Sequence, residues 1–210
     1  MKNGIKYLFA GVMATGIAMS SYGAAITVNW GTALNTFIAS TVSPLNYLDG
    51  DLVEVGTFAV PPTIGSPSLA NFTVFGTTLT GTGANAGIVS GSKTGSDAGF
   101  AHNQIYMVAF NNATGVGASL ETIFFVNDAN NPNWRFPASS DFPNSCSIDL
   151  QDMFTGANNG TLAPGATITW GTKTVDPSGP YNVIAMIPEP TTWTLVGTSL
   201  LGLLAFRRRS

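Results

Sequence analysis

The sequence predicts an all-β body, an antiparallel β-sandwich of jelly-roll-like character, held between two end segments that do not belong to it. Three observations predict this. Short runs of alternating, β-branched or aromatic residues recur through residues 26–187. Clusters of Gly, Pro, Asn and Ser separate them, and these residues favour turns for reasons of backbone geometry and local hydrogen bonding. No stretch sustains an apolar period of 3.6, so long crossover helices and a parallel α/β fold are disfavoured.

Residues 1–25 read as a cleavable signal peptide. Lys2 and Lys6 supply positive charge, residues 7–19 are apolar or small, and small residues follow up to Ala24 and Ala25, near which cleavage is expected. The apolar run has 13 residues, against the roughly 17–25 of a membrane-spanning helix.

The body begins with a strand over residues 25–30, placing Ile26 and Val28 on one face and Thr27 and Asn29 on the other. Residues 52–60 alternate apolar and polar until Pro61-Pro62 stops them. Ser66-Pro67-Ser68 offers a serine cap for a turn or two of helix. Residues 72–80 are dense in Thr, Val and Phe. The glycine-rich stretch 80–99 reads as a loop with a short strand at Ile88-Val89, and as a place where function concentrates. Strands are predicted at 104–110 and 120–126, ended by Asn111-Asn112 and Asn127-Asp128, and a weaker one at 147–153. The last two, 167–175 and 181–187, flank the turn-forming residues 176–180. Residues 26–32 echo residues 166–172. Either the first and late strands are neighbours, or the likeness is chance in a Thr-rich chain.

Charge in the body is sparse and one-sided. Lys93, Arg135 and Lys173 face ten acidic residues, a balance of −7 that repels phosphate backbones, so no nucleic acid is expected as a partner. Cys146 is the sole cysteine of the 210-residue chain, so no disulfide within it forms and packing alone must hold the body.

Catalysis needs a constellation of groups, and the sequence offers only fragments. His102 is the one histidine; paired with Cys146 it would make a nucleophile and base, but Asn144-Ser145-Cys146-Ser147 matches no nucleophile signature. Glu54 and Glu121 are the candidates for a carboxylate pair, and both fit the polar face of a sheet equally well. Asp49-Gly50-Asp51 and residues 127–131 carry oxygen ligands for calcium, without a calcium-loop spacing; Asx residues also favour turns for their own backbone bonds. No cofactor and no metal are expected. Trp134 and Arg135 are the candidate ligand-binding pair: a flat ring able to stack on a sugar, beside the only arginine of the body. The competing reading packs Trp134 at the sandwich edge under Arg135.

The tail, residues 188–210, has three parts. Pro188-Glu189-Pro190 opens it, residues 191–206 form an uncharged run of 16, and Arg207, Arg208 and Arg209 close it before Ser210. As a helix the run spans about 24 Å. Local thinning and snorkelling arginines bring that to a hydrocarbon core of ~30 Å. The arginine cluster stays on the cytoplasmic side, which puts the body outside.

These residues resemble the PEP-CTERM sorting signal of Gram-negative bacteria: the tripeptide, the apolar helix with Gly197 and Gly202, and the terminal basic cluster. The resemblance covers 23 of 210 residues. It implies an exosortase as partner, a membrane-embedded cysteine protease cutting near the tripeptide. It also implies a transient inner-membrane anchor, then the cell surface or extracellular matrix of an exopolysaccharide-making, biofilm-forming bacterium. The function expected is that of a non-enzymatic surface or matrix protein associated with exopolysaccharide. The alternatives are a carbohydrate-binding module using Trp134 and Arg135, and an unrecognised secreted hydrolase.

Overall fold

A computed structural model describes residues 25–32, 35–42, 44–64, 68–115, 123–155, 160–179 and 181–186. The signal peptide, the tripeptide Pro188-Glu189-Pro190, the helix expected at 191–206, the cluster Arg207–Arg209 and Glu121 lie outside the described residues.

The all-β class holds. Strands β1 (Ala25–Gly31), β2 (Thr36–Val42), β3 (Leu45–Tyr47), β4 (Leu52–Phe58), β5 (Phe72–Leu79) and β6 (Ser90–Ser96) come first. Strands β7 (Tyr106–Phe110), β8 (Ile123–Asp128), β9 (Ser145–Asp149), β10 (Ala166–Trp170), β11 (Thr172–Val175) and β12 (Asn182–Ala185) follow. They form three sheets, in the orders β6-β1-β9, β10-β8-β7-β4-β5 and β11-β12-β2-β3.

The purely antiparallel pairing expected from the spacing is corrected. β1 runs parallel to β9, and β12 runs parallel to β2. Both pairs join strands far apart in sequence, and no local turn dictates their direction. The echo between residues 26–32 and 166–172 does not mark a hydrogen-bonded pair, since β1 and β10 lie in different sheets.

One core serves all three sheets. The three-stranded sheet contributes Ile26, Val28, Trp30 and Ile148. The five-stranded sheet contributes Val53, Val55, Met107, Ala109, Phe124 and Val126, and the four-stranded sheet Ile38 and Ile184. Strands at the middle of sheets are buried on both faces. In β7, Met107 and Ala109 enter this core while Tyr106, Val108 and Phe110 enter a second cluster with Phe58 on the opposite face. In β12, Ile184 joins the main core while Val183 and Ala185 pack with Ala39 behind it. Such strands read as continuous apolar runs rather than alternating ones.

Other boundaries shift for local reasons. The run 167–175 is two strands, because Gly171 takes φ 126°, a conformation closed to ordinary L-residues, and turns the chain from one sheet into another. The run 147–153 is β9 followed by the 3-10 helix Leu150–Met153, capped by the Asp149 carboxylate accepting from the Gln151 N–H at 2.8 Å. Residues 68–72 hold only a turn, with the Phe72 N–H donating to the Leu69 carbonyl.

The stretch 80–99, expected as a loop with a short strand at Ile88-Val89, makes an isolated bridge between Val89 and Thr80 and, just after that point, supplies β6. Its sequence SGSKTGS holds no apolar residue, yet it pairs with β1 along its whole length. Trp30 is the reason. A Cβ on Gly91 would lie 2.3 Å from the Trp30 ring, and one on Gly76 of β5 2.6 Å from it. The two glycines leave room for the indole between neighbouring strands.

Candidate functional site

The outer face of the three-stranded sheet is built by alternation. Ile26, Val28 and Trp30 turn inward, so Thr27, Asn29 and Gly31 turn outward. Register then aligns polar residues across three strands. One row is Thr94, Thr27 and Ser145; the next is Ser92, Asn29 and Ser147; the third is Ser90, Gly31 and Asp149. Neighbouring strands lie about 4.8 Å apart, and rows repeat every ~6.7 Å along a strand.

The last two rows frame a solvent-open groove of about 530 Å³, lined by Asn29, Gly31, Ser90, Ser92, Ser147 and Asp149 among others. Gly31 leaves the floor without a side chain. The Ser92 hydroxyl donates to the Asn29 Oδ1 at 2.7 Å, which fixes the amide. In the adjacent row the Thr27 and Thr94 hydroxyls lie 2.8 Å apart. Asp149 is tied to the Gln151 backbone, and Gln151 Oε1 accepts from Thr36 Oγ1 at 2.6 Å. Sequence reasoning put Thr27 and Asn29 on an outer face but missed this groove. Two of its six named residues come from the stretch read as loop, and the β1–β9 pairing is invisible locally.

Trp134 stands elsewhere and faces inward. It closes the 3-10 helix Pro132–Trp134, which Asn131 caps by accepting from the Asn133 N–H at 3.0 Å. Its side chain is 0% exposed and belongs to the main core. The Trp134 carbonyl accepts from the Ile105 N–H at 2.8 Å and from Gln104 Nε2 at 2.7 Å, stitching this turn to the start of β7. No ring face is open to a sugar in this state. Arg135 is exposed, and its Nη1 donates to the His102 carbonyl at 3.5 Å.

The remaining candidates are dispersed. His102 sits in a turn at φ 60°, with Nδ1 3.8 Å from Asp141 Oδ2. Cys146 points from β9 toward the main core, and burial pushes its thiol up to about 11, away from the thiolate a nucleophile needs. Glu54 lies within β4, between Thr77 and Val108 on the flanking strands, and burial raises its carboxyl above the ordinary range. Asp128 accepts from the backbone N–H groups of Asn130 and Asn131, an Asx turn. Asp49 accepts from the Gly83 N–H, and Asp51 from the Asp49 N–H. Among the described residues no three His, Cys, Asp or Glu side chains group to hold a metal. Nor is any described helix long and apolar enough to cross a membrane.

The other notable place is the end of the described body. β12 lies between β11 and β2, and all four of its residues are buried. Met186 follows, 0% exposed, its N–H donating to the Ala39 carbonyl at 3.1 Å. The very next residue begins a match to the family model described as the PEP-CTERM protein-sorting motif, which covers residues 187–209. No curated protein and no solved structure shows a significant match to the chain. The motif implies an exported protein, handled by an exosortase at the membrane and sorted to the cell surface.

Proposed function

We propose that this PEP-CTERM protein is a non-enzymatic component of the cell surface or extracellular matrix. In this reading a signal peptide exports it, an exosortase cuts it near Pro188-Glu189-Pro190, and the β body then remains in an exopolysaccharide layer. The observation that carries the reading is the junction: the sorting motif starts directly after Met186, the last described residue and a buried one. A cut within the motif leaves β12 whole in its sheet, so release does not open the core. The dispersal of His102, Cys146 and Glu54 over separate elements favours a binding or structural role over catalysis.

The test is the intact mass of the protein from its native host, separated into membrane, surface and medium. The expected species lacks about the first two dozen residues and the residues after the tripeptide, and lies in matrix or medium. Changing Pro188-Glu189-Pro190 to three alanines is expected to hold an uncut form in the membrane fraction. Unchanged processing of that variant sinks the exosortase reading.

A further inference from the structure

We propose that the groove between Asn29, Gly31, Ser90, Ser92, Ser147 and Asp149 is a binding site for a neutral, hydroxyl-rich glycan chain. The argument begins with chemistry. Serine hydroxyls and the asparagine amide each donate and accept, so the walls match a ligand dense in groups that do both. Ser90, Ser92 and Ser147 are exposed, and the Asn29 amide is already oriented by Ser92. Trp30 and Ile148 also line the groove, but both are buried, at 3% and 1% exposure, so the side chains that reach solvent there are polar.

Charge narrows the choice. The groove holds no cation, Asp149 stands at its edge, and the body carries −7. An anionic polymer is repelled, while a neutral one loses nothing to long-range repulsion. Shape narrows it again. The groove is open to solvent, and the polar sheet face beside it carries the further row of Thr94, Thr27 and Ser145. An extended chain lying along β1 therefore meets successive polar rows about 6.7 Å apart. The platform is rigid, because each row is held by ladder hydrogen bonds on both sides of β1 and by the buried Trp30 beneath; little ordering cost falls on the protein.

The proposal deepens the matrix reading and rests on it for which polymer the protein meets. Its test is separate. Matrix polysaccharide from the native host is divided into neutral and acidic fractions and cast into native gels, through which the mature protein is run. The neutral fraction is expected to retard the wild type. Ser147→Leu, which puts an apolar side chain into the groove from an exposed position, is expected to weaken retardation at least tenfold with an unchanged melting temperature. Asn29→Ala is a second variant should the first fail to fold, with a loss of about tenfold. Phe142→Ala, at a fully exposed residue outside the groove, is expected to behave as wild type. Retardation by the acidic fraction alone overturns the proposal, as does none by the neutral one. So does retardation that survives both groove variants or disappears with Phe142→Ala. None of these results bears on processing, which the mass of the released protein reports.

Discussion

At the scale of the residue, burial decides what a side chain is for. Trp134 has the composition of a sugar-binding residue, with polar turn formers and an arginine around it, yet its ring lies in the core. Trp134→Ala is expected to cost about 3–5 kcal/mol of stability, the usual range for emptying a buried aromatic site. Trp134→Phe is expected to cost far less, because the indole Nε1–H has no hydrogen-bond acceptor among the described residues. Urea unfolding of both variants measures this, and a stable Trp134→Ala protein would contradict the packing role.

Asp176 shows a second residue-scale effect. It is 6% exposed and accepts from Ser178 through both N–H and hydroxyl, and from the Tyr47 hydroxyl. These donors, Ser178 first, hold its carboxyl below the ordinary 3.8. Their stabilisation is complete above that unfolded-state value and is lost as pH falls through it toward the folded-state value. Asp176→Asn is therefore expected to lower the melting temperature at pH 7, with the gap to wild type closing below about pH 4. A gap constant from pH 7 to pH 3 would refute the assignment. The same bond raises the Tyr47 phenol, after burial as the larger cause, and ties β3 to the turn before β12.

At the scale of the element, β6 and β12 show two ways a strand arises. β12 carries the apolar run Val183-Ile184-Ala185 after a buried Asn182, and that composition announces it. β6 has no apolar residue and exists through its neighbours: two glycines of the β5–β6 region accommodate Trp30, and β1 supplies a full ladder. Gly91→Val forces a side chain into the indole and is expected to cost roughly 1–3 kcal/mol, the range for overpacking. Thr94→Val, on the outer face of the same strand, is expected to stay within about 0.5 kcal/mol, as surface changes do. Thermal unfolding of the pair checks both, and equal effects would mean that Trp30 does not set the position of β6.

At the scale of the whole molecule, the chain joins two kinds of information. The tail is an address read in linear form: a tripeptide, an apolar run and three arginines keep their meaning whatever the body does. The body is a surface, and its meaning depends on which strands meet. Seven of the predicted runs land on strands because each carries its own local signal, whether β-branched and aromatic content, period-2 alternation or a bounding turn. The eighth, 167–175, lands on two, since a single glycine turn is not legible as a break in Thr-rich sequence. β2 and β3 escaped for other reasons: β2 matches β1 in apolar content but pairs in parallel with the distant β12, and β3 is only three residues long.

The β class, the acidic and disulfide-free character of the body, and the sorting tail are all legible along the chain. Each of these is a property of composition, short-range period or a contiguous motif, and none needs a distant partner. The two parallel pairings, the burial of Trp134 and the polar groove come from folding in three dimensions. The pairings and the groove depend on residues more than fifty positions apart meeting in a particular register, as Asn29 meets Ser92 and Ser147. That register is set by the summed packing of Trp30, Ile148 and the rest of the core. No single segment carries that information, because burial is a property of the assembled chain.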